Sequence, residues 1–127
     1  MNQKKILVVD DDELTLKFIS FKLNEAGYKV KTAMECLGAL QHLKYDVPDM
    51  IVLDIMLPDL SGFELLNIIR VDKLYSELPV ILISVHSENE IIHAASKLGA
   101  TDFVSKSIDI DLLLEKIKNS INVLNSH

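Results

Sequence analysis

PDMIVLDIMLPDLSG, residues 48–62, decides the fold: four apolar residues, 50–53, run unbroken into one carboxylate, Asp54, and then into a turn. A short continuous apolar run of this kind is the pattern of a strand buried on both faces of a parallel sheet. Pro58 fixes its own φ and removes a donor, and Gly62 tolerates backbone angles that other residues resist, so the run is expected to break here. Chemistry in an open α/β sheet collects in the crevice beyond the carboxyl ends of the strands, which is where Asp54 would stand. Taken alone, Asp54 is better read as a cap for the turn or helix that follows, the usual job of an Asp just after a strand; its company elsewhere in the sequence overturns that.

Working outward, residues 6–9 (ILVV) form a second buried-type strand that stops at four consecutive acids, Asp10, Asp11, Asp12 and Glu13. A helix beginning at Asp12 or Glu13 welcomes acids in its first turn, worth only ~0.3–1 kcal/mol each. Asp10 and Asp11 are left to repel each other unless a cation is held between them or one is protonated. Leu16, Ile19, Leu23 and Ala26 then share one helical face, with Gly27 as a C-cap. Residues 28–33 alternate as a strand, and Cys36, Leu40 and Leu43 mark a second helix. Beyond the central strand, a third helix spans about 62–71, with Phe63, Leu66 and Ile69 inward. Pro79 introduces a strand at 80–83 that ends in Ser84. Ser87 or Asn89 is placed to cap a fourth helix carrying Ile91, Ala95 and Leu98 up to Gly99. Residues 101–104 read as the fifth strand and Lys106 follows it. A last helix buries Ile110, Leu113, Leu114, Ile117 and Ile121. Five strands alternating with five helices imply an α/β fold with right-handed crossovers and a parallel sheet covered on both faces.

At 127 residues, 49% hydrophobic and 25% charged, the composition is that of one globular domain spanning 1–127. No apolar run is long enough to cross a bilayer, and the start, MNQKK before a brief apolar run that turns abruptly acidic, is unlike a signal peptide, so a cytoplasmic location is expected. The net charge of −6 disfavours general nucleic-acid binding, which draws its affinity from Lys and Arg meeting phosphates; proteins are the expected partners. The lone Cys36 lies among apolar residues at helical spacing and reads as a small core residue. His42, His86, His93 and His127 are assigned to the surface.

In a parallel sheet the strand ends carrying Asp10 and Asp11, Asp54, Ser84 and Lys106 share one edge. Three carboxylates there ask for a hard divalent cation, and Mg²⁺ suits a site offering a few oxygens and keeping waters for a phosphate. A carboxylate can accept a phosphoryl group, given positioning and neutralisation of the equatorial oxygens. Lys106 and Ser84 offer a charge and a hydroxyl for that. Singly, Lys106 reads as a surface lysine and Ser84 as a strand-end residue bonding to local backbone. The joint occurrence at successive strand ends points to the chemistry.

The segments ILVVDDDE, PDMIVLDIMLPDLSG, VILIS and GATDFVSK, with 30 positions from Asp54 to Ser84 and 22 from Ser84 to Lys106, resemble the receiver domain of two-component response regulators along essentially the whole chain. The resemblance implies a flavodoxin-like, doubly wound five-stranded sheet of order 2-1-3-4-5, the order also found in chemotaxis regulators. It implies that Asp54 is the phosphoacceptor and that Asp11, Asp54 and the backbone carbonyl of Met56 ligate Mg²⁺, with Mn²⁺ as a substitute. Asp10 would hold a metal-bound water, Lys106 would pair with the phosphoryl group, and Ser84 and Phe103 would act as switch residues. The chain would then catalyse its own phosphorylation and dephosphorylation rather than act on a separate substrate. The implied partners are a sensor histidine kinase or histidine phosphotransfer protein and a downstream protein target or attached effector domain. A homodimer through the fourth helix, fifth strand and fifth helix is compatible with it; a membrane or direct nucleic-acid contact is not implied. Inverting a switch from 1:99 to 99:1 takes roughly 5.5 kcal/mol, more than one neutral hydrogen bond supplies, so Lys106 and the cation must contribute beside Ser84.

Three positions depart from the commonest pattern. Ser107 stands where a proline usually follows the lysine, which removes the usual basis for a cis bond there. Val85 is larger than usual after the hydroxyl and is expected to narrow the path to Asp54, slowing phosphorylation and hydrolysis alike. Phe103 has no hydroxyl, so any rotation must be driven by packing. Three rival readings remain. A receiver-like interaction module that is never phosphorylated is argued against by the intact acid, hydroxyl and lysine set. A haloacid-dehalogenase-like phosphatase wants an Asp where Met56 stands, and a flavodoxin-like cofactor binder wants an anion loop where residues 10–13 are acidic.

Overall fold

Three apolar runs and two mixed segments pair edge to edge as five parallel strands, β1 (Lys5–Val9), β2 (Lys29–Ala33), β3 (Met50–Asp54), β4 (Val80–Ser84) and β5 (Asp102–Ser105), in the order β2-β1-β3-β4-β5. The structure is a computed structural model and describes residues 3–106 and 110–125, the last four as backbone alone. Between and after the strands lie α1 (Glu13–Glu25), α2 (Cys36–Tyr45), α3 (Gly62–Val71), α4 (Asn89–Lys97) and α5 (Ile110–Asn125). The doubly wound α/β architecture and strand order expected from the sequence are those observed.

Alternation along the strands divides the core in two. Leu7, Val9, Ile51, Leu53, Val80 and Leu82 face α2, α3 and α4, meeting Cys36, Ala39, Leu43, Leu65, Leu66, Ile69 and Ala95. Ile6, Val8, Met50, Val52, Ile81 and Ile83 face the other way, against Leu16, Ile19 and Leu23 of α1 and Leu113, Ile117 and Ile121 of α5. Every residue of β3 and β4 is buried, so each large aliphatic side chain there contributes about 1.5–3 kcal/mol of transfer free energy. The central strand is therefore the most firmly fixed part of the sheet, and it ends at Asp54.

Local signals are met with a few corrections. Asp12 occupies the N-cap position of α1 and Glu13 its first turn; Gly27 and Gly99 follow α1 and α4 with positive φ of 100° and 94°. Ala26 is exposed at the end of α1 rather than part of its buried face. Neither Ser87 nor Asn89 caps α4: Glu88 holds the N-cap position and makes no side-chain bond to the helix. Thr101 precedes β5, its hydroxyl accepting the Val80 N–H at 3.0 Å. Gly62 is needed for a different reason from the one its type suggests. It has no positive φ; instead its N–H donates to the Ile55 carbonyl at 2.7 Å, and a Cβ there would overlap the Asp54 carbonyl oxygen and lie 2.8 Å from Ile55 Cα. The glycine is a matter of close approach. Ser107 lies outside the described residues, and so does the expectation concerning the bond before it.

Candidate functional site

Strand register sets the site. Val9 pairs with Leu53, Asp54 with Ile83, and Ser84 with Ser105, so the residues that end or follow these strands share one edge. Asp10 is fully buried just past β1; its backbone N–H reaches the Ala33 carbonyl at 3.1 Å, and its Oδ1 accepts the Asp12 N–H at 2.9 Å. Asp54 is 2% exposed, and its Oδ1 accepts the Met56 N–H at 3.2 Å. Asp54 thus caps the turn that follows it through Met56 but not the helix, since Ser61 holds that position for α3 and accepts the Glu64 N–H at 3.3 Å.

Lys106 joins the two buried acids. Its Nζ donates to Asp54 Oδ2 at 3.0 Å and lies 2.8 Å from Asp10 Oδ2, and its backbone N–H donates to the Ser84 carbonyl at 2.9 Å. The contact with Asp10 is an ion pair off the hydrogen-bonding direction, because Asp10 Oδ2 receives no aligned donor. Ser84 is buried, and its Oγ accepts the His86 N–H at 3.0 Å. Phe103 is half-buried against the α2, α3 and α4 side of the core, where Ile91 and Leu98 of α4 also pack. Val85 is 64% exposed at the mouth of the β4–α4 loop, and the side chain of Met56 is exposed as well. His86 and His93 are exposed, while His42 is half-buried with Nε2 3.1 Å from the Thr32 carbonyl; His127 lies outside the described residues. Cys36 is fully buried, as a core residue should be.

Charge is not balanced at this edge. Oxygens of Asp10, Asp11 and Asp54 lie within 4.8 Å of one another, with one ammonium among them. Like charges about 4 Å apart repel by roughly 4 kcal/mol at an effective dielectric of 20. Desolvation is the main cause pushing the Asp54 carboxyl above its ordinary pKa, with the Asp10 charge adding to it, against the opposing hydrogen bond from Lys106. Burial works against the Lys106 ammonium, but the two acids outweigh it and raise its pKa. The chemistry of the donor set, all carboxylate oxygen, with Asp11 exposed to solvent and Asp10 Oδ2 short of an aligned donor, fits a hard divalent cation.

The family model for the response regulator receiver domain matches residues 6–118. The chain belongs to that family. Among curated relatives of this receiver domain are the response regulator PleD of Caulobacter vibrioides, 34% identical over 91% of the chain and 25% of PleD, and the alkaline phosphatase synthesis transcriptional regulatory protein PhoP of Bacillus subtilis, 38% identical over 81% of the chain and 42% of PhoP. The receiver thus spans about a quarter to two-fifths of these two relatives. A CheY-like response regulator receiver domain protein from Methanospirillum hungatei superposes with a TM-score of 0.90 at 29% identity, covering 98% of both chains. The BeF₃-activated DrrB receiver domain gives 0.86 at 34% identity, over 95% of this chain and 99% of that one.

Two features of the receiver site were not foreseen. Lys106 contacts Asp10 as well as Asp54. Asp59, in the loop after Asp54, accepts the N–H groups of Cys36 and Leu37 at 2.9 and 3.0 Å and so caps α2 from 23 residues away. The signal that could have found it is negative: Glu35 precedes α2 where Ser, Thr, Asp or Asn would be expected, and makes no side-chain cap.

Proposed function

We propose that this receiver domain is the phosphoacceptor switch of a two-component phosphorelay, taking a phosphoryl group onto Asp54 from a phosphohistidine of a sensor histidine kinase or histidine phosphotransfer protein. The observation that carries the reading is the bridge from Lys106 Nζ to two buried acids, at 2.8 Å from Asp10 and 3.0 Å from Asp54, beside the solvent-facing Asp11. In the transfer the donor's N–P bond breaks as an Asp54 Oδ–P bond forms, and the imidazole keeps the electron pair of the broken bond. Asp54 must enter as the carboxylate, the form that the Lys106 hydrogen bond favours against the effect of burial. Asp11, Asp54 and the Met56 carbonyl would hold Mg²⁺ or Mn²⁺, with Asp10 placing a water on the ion; the cation supplies charge neutralisation of the equatorial oxygens. In dephosphorylation water attacks the phosphorus, the Asp54 Oδ–P bond breaks with its electron pair returning to the carboxylate, and inorganic phosphate leaves.

A dianion at Asp54 offers new acceptor oxygens to Lys106 and to the Ser84 hydroxyl, which here accepts from His86. The loop after Ser84 leads into α4, the helix with the fewest anchors: Ala95 is its one buried residue, and no side chain caps its start. Movement of Ser84 therefore biases α4, and with it Phe103, changing the α4–β5–α5 face that meets a downstream target, an attached effector domain or a second copy. PhoP and several other relatives are transcriptional regulatory proteins, which supports an attached effector that does the DNA binding. No helix among the described residues is long and apolar enough to cross a membrane, which accords with a cytoplasmic setting. Acetyl phosphate with Mg²⁺, followed by intact mass, tests the reading: wild type gains one phosphoryl group and Asp54→Asn gains none. Failure of wild type to gain it would leave an interaction module that is never phosphorylated.

A further inference from the structure

The loop 55–61 carries the Met56 carbonyl, and its path is fixed by few bonds. At one end Met56 N–H reaches Asp54 Oδ1 at 3.2 Å, and Gly62 N–H closes on the Ile55 carbonyl at 2.7 Å. At the other the Asp59 carboxylate takes two backbone N–H groups at the start of α2, from Cys36 at 2.9 Å and Leu37 at 3.0 Å. The Cys36 thiol adds a contact to the Leu60 carbonyl at 3.4 Å. Four N–H groups at a helix start lack partners within the helix, and a carboxylate there is favoured by the helix dipole as well. Glu35, in the extended N-cap conformation, leaves that role open. Asp59 therefore does two things with one carboxylate: it caps α2, and it ties the loop to a rigid element.

We infer that Asp59 is a positioning residue for the divalent cation, acting through the loop to hold the Met56 carbonyl where Asp54 and Asp11 can share an ion with it. Two residues, Leu57 and Pro58, separate Met56 from Asp59, and Pro58 removes one backbone freedom between them. A tether at Asp59 thus restricts the carbonyl without touching the ion. Groups hydrogen-bonded directly to a metal ligand typically change metal affinity by about 10–100-fold when removed, and Asp59, which acts one step further away through the loop, is expected at the lower end of that range. The inference rests on the reading that these residues hold a divalent cation.

The test separates capping from tethering. Asp59→Ala removes both; adding Glu35→Ser returns a local cap to α2 but leaves the loop untied. Mg²⁺ is titrated into the full chain by calorimetry, with amide hydrogen exchange read at Leu37 and Gly38. For Asp59→Ala the expected results are an Mg²⁺ Kd raised about 10-fold and faster exchange at Leu37. In the double variant exchange slows again and the Kd stays raised. A double variant whose Kd returns to the wild-type value overturns the inference, because Asp59 would then act only as a helix cap; an unchanged Kd in Asp59→Ala does the same. Should Asp59→Ala fail to fold, Asp59→Asn keeps one acceptor oxygen and is expected to raise the Kd by a smaller factor, and no rise overturns the inference. Wild type that binds no Mg²⁺ sinks the cation reading itself, an outcome distinct from wild type binding it and the variants binding it equally well.

Discussion

Replacing Lys106 with Met keeps most of the aliphatic stem and deletes the charge that lies 2.8 Å from Asp10 and 3.0 Å from Asp54. Both acids are buried, at 0% and 2% exposure, so neither can recover its hydration in place. Removing one partner of a buried ion pair costs about 3–5 kcal/mol. A ceiling follows from protonation: a stranded acid can take a proton at pH 7, three units above its ordinary pKa, for about 4 kcal/mol at ~1.36 kcal/mol per unit. The loss should therefore be about 3–4 kcal/mol at pH 7, a drop in urea midpoint on the order of 2 M for a slope of roughly 1–3 kcal/mol per M. The sign of the pH dependence follows. Without Lys106 the folded-state pKa of the stranded acid rises, so the cost accumulates as pH climbs from the unfolded value and shrinks again toward acid, to roughly 1.5 kcal/mol at pH 5. Urea unfolding with chelator at pH 7 and pH 5 reads both numbers. A difference from wild type under ~0.5 kcal/mol at pH 7, or one that does not shrink at pH 5, would refute the role of Lys106 as counter-ion to the buried acids.

Other predictions concern the scaffold. Burial pushes the Cys36 thiol up to about 11, so alkylation of the folded protein should stay slow through pH 9 and climb only toward 11, while the urea-unfolded chain reacts readily near pH 9; fast labelling of the native protein at pH 8 would contradict the buried placement. The sign for stability is that the unfolded thiol loses its proton first, so its contribution is intact below about 9 and is lost as pH rises toward 11. Arg70 at the end of α3 donates from Nε to the Gly99 carbonyl at 2.8 Å and from Nη1 to the Leu78 carbonyl at 2.7 Å. Arg70→Ala leaves the part-buried Leu78 carbonyl without its donor, while the exposed Gly99 carbonyl passes to water, and should cost about 1–3 kcal/mol, with faster amide exchange at the end of α4; unchanged exchange there would show that the clasp contributes nothing. Gly62→Ala drives a Cβ into the Asp54 carbonyl and should destabilise by about 1–3 kcal/mol, checked by the same urea unfolding.

Three strands, β1, β3 and β4, were legible because a fully buried parallel strand leaves an unbroken apolar run; β2 and β5 were legible only from alternation and from their place between helices, and the strand order came from the family resemblance alone. The site was legible in part for the same reason: strand ends in one sheet must share an edge, which brought Asp10, Asp11, Asp54, Ser84 and Lys106 together on paper. What escaped was set by distance in space alone. The cap on α2 comes from Asp59, 23 residues on; the local sequence announces only that a cap is missing at Glu35, not what supplies it. Gly62 looked like a residue chosen for φ and proved to be one chosen for the missing side chain, since the clash it avoids is with the backbone of residues 54 and 55. Glu88 took the N-cap of α4 from better capping residues on either side; propensity is a weak prior where the loop path from Ser84 decides where the helix starts.

The most direct test traps the acyl phosphate where it forms. After reaction with acetyl phosphate and Mg²⁺, borohydride reduction should convert the side chain of residue 54, and no other, to that of homoserine, read by peptide mass. Homoserine at position 10, 11 or 59, or unmodified Asp54 in a chain that has gained a phosphoryl group, would contradict the account.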